Sequence, residues 1–364
     1  MKKKLFAILL STILVFGMFS ACGEAEETIT SEPSESEVVE VESESEEEPS
    51  EVIPPNSYRS ELTNEWIDNS LKEQRPVAVM VDNEKTALDH YGLTQADIVY
   101  EMMNSTANGE ITRFMALVKD WENITRFGSI RSVRPTNFMI APEYNAILIH
   151  DGGPFYIDPF LGNPWVDNLS GGFARIDNGK SREFTEYVTT GEIADRIEAA
   201  NYDREYNEYY EGPHWKFADP TAPVDLSQAM DSQVCTYIDL PFPHNGSELE
   251  FDKESGKYLY YEYNMAHVDP ENDNAQLCFT NVIIQCAEVN QFDENGYMQF
   301  NLINESGNGY YITNGQAIPI TWEKTHDTMP TKFYDADGNE ITLNTGKTYI
   351  ALVSEKRWSE LLIK

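Results

Sequence analysis

Five basic residues, Arg113, Lys119, Arg126, Arg131 and Arg134, cluster in a chain that is otherwise strongly acidic, with 62 Asp+Glu against 26 Lys+Arg and a net charge of −36. Guanidinium groups gathered in that way point to an anion site, because the planar fork of arginine bonds phosphate or carboxylate oxygens in pairs. Three carboxylates, Asp82, Glu101 and Asp151, fall at the ends of apolar runs and offer oxygen ligands to a divalent cation. The candidate ligand-binding residues are therefore Arg113, Arg131, Arg134, His150, Asp151 and Glu101, with Asp82 as candidate metal ligand; no catalytic residue is assigned. Each has a structural counterpart. Arg113 alternates with Ile111, Met115 and Leu117, where a guanidinium needs a carboxylate such as Glu101 merely to be tolerated. His150 closes an apolar strand, the usual place of a structural histidine.

These residues converge only if the elements carrying them do. Val77–Val81 is a short continuous apolar run ended by Asp82-Asn83, a buried strand. Strands follow at 97–101, at 111–118 (antiparallel to its predecessor) and at 146–150. A helix is predicted over 135–143, with proline at an early position. If the first, second and fourth strands run parallel, Asp82, Glu101, His150 and Asp151 collect at their C-terminal edge, where α/β sheets place ligands. Arg113 then starts its strand at that edge, and the helix N-terminus brings Arg131 and Arg134 to it. Thr190 is positioned to cap a helix over 191–200, with Ile193, Ala194, Ile197 and Ala200 on one face.

Beyond residue 221 short alternating runs recur between turns such as Glu294-Asn295-Gly296 and Asp335-Ala336-Asp337-Gly338, the pattern of hairpins. The expected class is α+β: an N-terminal α/β domain with a mixed sheet over 52–220, then a mostly antiparallel β-rich domain over 221–364. Tyr202, Tyr206, Tyr209, Tyr210 and Trp215 have near-helical spacing and read as core or interface packing. Asp269, Glu271 and Asp273 read as a solvated acidic loop. No CxxC, HExxH, GxSxG or SxxK spacing occurs. Cys278 and Cys286 read as small buried residues.

The N-terminus speaks to location. Lys2, Lys3 and Lys4 precede an uncharged run from Leu5 to Phe19, too short for a spanning helix of about 20 residues. Phe19-Ser20-Ala21-Cys22 resembles the bacterial lipobox, with Phe where Leu is usual. The expectation is a signal peptide over 1–21 and a lipidated Cys22; a plain signal peptide or an uncleaved anchor is the alternative. Two fatty-acyl chains of the palmitate type suffice for stable anchoring. Residues 24–51 carry acids and no base, so 22–51 reads as a disordered, self-repelling tether. The acidic body excludes nucleic acid as a partner.

Several strings carry a family resemblance: Arg75-Pro76-Val77-Ala78-Val79-Met80, the stretch from Gly92 to Glu101, Ile111-Thr112-Arg113-Phe114, Gly128 to Pro135, and later Tyr311 to Ile350. They resemble the YerB family of bacterial lipoproteins, whose two parts are domains of unknown function. The resemblance implies a lipid-anchored extracytoplasmic protein and supplies neither activity nor catalytic residues. The expected function is a membrane-anchored lipoprotein that binds an envelope ligand or protein partner. The alternative is a metal-assisted enzyme acting on a phosphorylated envelope intermediate, since the layout also distantly resembles the LytR-CpsA-Psr phosphotransferases. That likeness implies Arg131 and Arg134 on phosphate and a divalent cation at Asp82 or Asp151; no other cofactor is expected.

Overall fold

Runs of Val, Ile, Met and Ala that bury both faces of a strand build the centre of the molecule. The structure, a computed structural model, describes residues 51–364. The signal peptide, Cys22 and nearly all of the tether lie outside the described residues. Strand β1 is Val77–Asp82, β2 Ile98–Met103 and β3 Thr112–Val118, each buried throughout. Helix α1 (Pro135–Ile140) leads to β4 (Ile147–His150) and β5 (Asn168–Ser170). Helix α2 is Glu192–Ala200. The later strands used below are β6 (Gln233–Val234), β7 (Glu248–Asp252), β8 (Lys257–Glu262), β9 (Asn281–Ala287), β10 (Glu305–Thr313), β11 (Gln316–Lys324), β12 (Lys332–Tyr334) and β13 (Thr348–Ser354).

One 11-stranded sheet runs in the order β6–β11–β10–β9–β13–β2–β3–β1–β4–β5, with β12 beside β11. Strands β1 and β4 are parallel, and β3 lies antiparallel between β1 and β2, so β1, β2 and β4 share a direction as predicted. The join between the two halves of the chain is a strand pairing: β13 lies parallel to both β2 and β9. A separate six-stranded sheet contains the β7–β8 hairpin. The fold is thus α+β, with a mixed sheet in the N-terminal part and a mostly antiparallel β-rich C-terminal part.

The two faces of the large sheet have different cores. Val79, Val99, Phe114, Ile284 and Tyr349 pack with Tyr258, Tyr260 and Ile197 from the small sheet and α2. Met80, Tyr100, Met115, Leu148 and Ile350 pack with Phe138 and Tyr144 from the α1 region. Buried Glu143 follows α1 and takes donors from both halves: Lys324 Nζ at 2.8 Å, His214 Nε2 at 2.6 Å and the Thr331 backbone N–H at 2.8 Å.

Some expectations shift. The helix predicted to reach 143 ends at Ile140 and continues as a 3₁₀ turn, because Pro142 lacks an N–H. Gly191, not Thr190, is the N-cap of α2, with φ of 77°; Glu192 reaches back to the Thr189 N–H at 3.1 Å. The Tyr202–Tyr210 stretch is not helical, although Tyr206 and Tyr210 stack at 3.8 Å. Asp269 is fully buried rather than solvated: its carboxylate accepts from the Gly92 N–H at 2.9 Å and the Thr94 N–H at 3.0 Å. Cys278 and Cys286 are half-buried, and Cys235, Cys278 and Cys286 are all free thiols.

Candidate anion-binding site

Register decides which side chains meet at the C-terminal edge. Asp82 is paired directly with Arg113 across β1 and β3, an antiparallel pair of opposite charges. Both project to the α1 side of the sheet. The chain then crosses this edge again: Ile130 bridges to Val81, the Arg131 N–H donates to the Met80 carbonyl at 2.9 Å, and the Val133 N–H donates to the Gly152 carbonyl at 3.1 Å. That path delivers Arg131 and Arg134 beside Arg113. The three guanidiniums line one cavity of about 710 Å³, together with Asp82, Asn104 and Tyr297.

The charges in this cavity are unevenly placed. Arg131 is half-buried and doubly neutralised, by Asp82 Oδ2 at 2.6 Å and by the exposed Glu183 at 2.7 Å. Arg113 is buried and donates to the Ser132 carbonyl at 2.6 Å and to Asn104 Oδ1 at 3.2 Å, while its Nε has no hydrogen-bond partner. Arg134 is 6% exposed. It donates to the Val133 carbonyl at 2.8 Å and the Asn104 carbonyl at 3.3 Å, and lies 4.3 Å from the Tyr297 ring centre. No ion pair joins Arg113 or Arg134 to a carboxylate among the described residues. Burial pushes Arg134 down to about 9, and the neighbouring Arg113 charge pushes the same way. Burial likewise lowers Arg113 to about 10, with Asp82 opposing. Two desolvated cations without direct counter-charges form the back wall; the acids Asp82, Glu84 and Glu183 lie alongside. A doubly charged oxyanion would supply what this wall lacks.

The other sequence candidates fall elsewhere. Glu101 pairs in register with Phe114, so it faces the opposite side of the sheet from Arg113 and is not its counter-ion. There it accepts from Thr112 Oγ1 (2.7 Å), Ser247 Oγ (2.7 Å), Tyr260 OH (2.8 Å) and Tyr349 OH (2.5 Å). Burial raises its carboxyl above the ordinary range against the pull of those hydroxyls. His150 is buried, with Nδ1 at 2.9 Å from the Gly152 carbonyl and Nε2 at 3.2 Å from Asn168 Oδ1. Asp151 faces Arg175 at 3.3 Å. Helix α1 has six residues, too short for its dipole to add much; the Arg134 N–H is taken by Asn137 Oδ1 at 2.8 Å. Asp82 serves Arg131, and joins no group of three metal-ligating side chains among the described residues.

Sequence reasoning missed Asn104, Ser132 and Tyr297. Asn104 opens a polar stretch, Asn104–Glu110, whose composition is that of a turn. Tyr297 follows the Asn295-Gly296 turn, whose docking on Ser105 and Thr106 (bridge Ser105–Tyr297, Thr106 N–H to the Gly296 carbonyl at 2.9 Å) has no local signature. Beside the mouth, Phe155 is 71% exposed, and Tyr156 stacks on the exposed Phe292 at 4.5 Å.

The guanidinium-walled cavity thus lies at one edge of a mixed sheet. Comparison with known proteins supplies kinship rather than activity. Residues 62–203 match the family described as "Protein of unknown function (DUF3048) N-terminal domain", and residues 238–350 match its C-terminal domain. The chain belongs to this YerB-like family. It is 25% identical over 312 residues to the "Putative lipoprotein YerB" of Bacillus subtilis (strain 168), covering 82% of this chain and 86% of that protein. The crystal structure of YerB protein from Bacillus subtilis has the same fold, with a TM-score of 0.67 at 23% identity over 81% of this chain and 96% of that one. No helix among the described residues is long and apolar enough to cross a membrane.

Proposed function

We propose that this lipoprotein-family member is an extracytoplasmic, membrane-anchored binding protein whose ligand presents a phosphate-like oxyanion to Arg113 and Arg134. The observation that carries the reading is Arg134, a buried guanidinium that opens on a cavity and has no carboxylate ion-pair partner among the described residues. A buried charge left unpaired is costly, and a ligand anion removes that cost. The rings of exposed Phe155 and Phe292 and of half-buried Tyr156 beside the mouth suit a ligand whose anion is attached to a sugar ring or an acyl chain. The anchor follows from the Phe19–Cys22 string and the kinship with a lipoprotein. The test is thermal melting of the detergent-solubilised full chain against inorganic phosphate, pyrophosphate and sugar phosphates. A saturable rise in melting temperature with phosphoryl compounds, absent with chloride at equal ionic strength, supports the reading. Equal response to every salt overturns it.

A further inference from the structure

The face of the sheet opposite the arginine cavity holds a second polar cluster that the binding function does not use. His90 lies in the loop after β1, and Glu262 and His267 lie at the end of β8 and just beyond it. All three are at most 3% exposed. One ligand atom from each lies within 4.8 Å of those of the other two. His267 Nδ1 is 2.9 Å from Glu262 Oε1. The remaining polar atoms are orphans: among the described residues neither nitrogen of His90, nor His267 Nε2, nor Glu262 Oε2 has a hydrogen-bond partner. Orphaned buried groups on three adjacent side chains are rare and call for an explanation.

Charge points the same way. Glu262 lies close enough to Glu101 to raise its carboxyl. Among the described residues neither carboxylate forms an ion pair with a lysine or arginine; the single ion-pair partner of Glu262 is His267. The surroundings are aromatic: Phe114 meets both imidazoles edge-on, at 5.9 Å and 6.1 Å, and Tyr260 packs on His267 at 5.7 Å. Two imidazoles and a carboxylate in a dry aromatic shell form a donor set for a borderline divalent ion. An ion at the centre of a triangle with those edges sits no more than about 2.8 Å from each donor, so the roughly 2.1 Å bonds of zinc ask for inward shifts of about 0.7 Å.

We propose that His90, Glu262 and His267 bind one zinc-class divalent ion that cross-links the loop after β1 to the β8 region. The link joins the N-terminal and C-terminal parts of the chain at the place where Asp269 already clasps Gly92 and Thr94. It also braces the loop that continues from Asp82, the acid within the arginine cavity. The role is structural, because all three side chains are sealed from solvent and none lines any of the main cavities.

The test uses the full chain, solubilised in detergent and purified without chelators. Elemental analysis should find one equivalent of zinc per chain. Dialysis against a strong chelator should lower the melting temperature by several degrees, and added zinc should restore it. His90→Gln and His267→Gln should each lose the metal, whereas His150→Gln should keep it. Should the cluster variants fail to fold, X-ray absorption of the wild-type protein decides: zinc with two imidazoles in its shell supports the site, and zinc without them overturns it. Substoichiometric metal in a protein that zinc does not stabilise, or full metal in His90→Gln, also overturns it. The phosphate response of the arginine cavity is read separately, so failure of one proposal is distinguishable from failure of the other.

Discussion

Replacing Arg134 by methionine should raise the melting temperature of the ligand-free protein and abolish its response to phosphate. A guanidinium held at about 9 rather than its ordinary 12.5 is disfavoured as a cation by about 4–5 kcal/mol. Methionine replaces the aliphatic stem without charge and leaves the guanidinium's place open to the cavity. The substitution forfeits the donors to the Val133 and Asn104 carbonyls and the face of Tyr297. Orphaning the Val133 carbonyl costs about 1–3 kcal/mol, and the Tyr297 contact about 1. The Asn104 carbonyl keeps the Met298 N–H at 3.3 Å. The balance favours the variant by up to about 3 kcal/mol, which raises the midpoint by up to roughly 5 °C for a body of this size. Differential scanning fluorimetry of the full chain, with and without phosphate, reads both effects. A midpoint lowered by several degrees would mean the guanidinium holds the fold together, and an undiminished phosphate response would remove it from the site.

Asp82→Asn should strengthen phosphate binding about tenfold, or about 1.4 kcal/mol, because the carboxylate 2.6 Å from Arg131 competes with the ligand; isothermal titration measures it. The same change should lower the ligand-free midpoint, since Arg113 loses its nearest counter-charge. Glu143→Gln should destabilise the protein by about 3–5 kcal/mol in urea unfolding, because it strands Lys324 in the core. Glu143 also sets an acid limit. Burial raises its carboxyl, but Lys324 and His214 outweigh burial and hold it down to about 2, against an ordinary 4.5. Its folded form thus sheds the proton more readily than its unfolded form. The resulting stability is full above about pH 4.5 and is lost as pH falls toward 2, and the slope should vanish in Glu143→Gln. Cys22→Ser should move the protein from the membrane to the soluble fraction on cell fractionation.

The shared direction of β1, β2 and β4 was legible because they are apolar runs too continuous to be anything but buried strands, with β3 returning antiparallel to β2. Convergence of Arg113, Arg131 and Arg134 followed from that arrangement alone. The partner of Arg113 did not. Which face a strand residue takes depends on a register offset of one residue, and Glu101 opposite Phe114 puts the expected pair on different sides of the sheet. Contacts between distant segments left no trace either. Asp269 sits in an acidic run and looks solvated, yet its purpose is to accept backbone N–H groups about 175 residues away. His90 carries no local signal, because both of its partners in the cluster, Glu262 and His267, arrive from beyond position 260.

The placement of strand β13 ties these observations together. It lies against β2, whose end leads into Asn104, and the turn that carries Tyr297, outside the large sheet, docks on that stretch through the Ser105–Tyr297 bridge and the Thr106 N–H to the Gly296 carbonyl at 2.9 Å. A rigid wall is what an uncompensated guanidinium requires. In a pliable pocket Arg134 would swing to solvent and recover its hydration, and its cost would disappear along with its pull on an anion. Held by the Val133 and Asn104 carbonyls, it cannot. The Asn104 stretch after β2, with the Tyr297 turn docked on it, is therefore what holds Arg134 at the cavity.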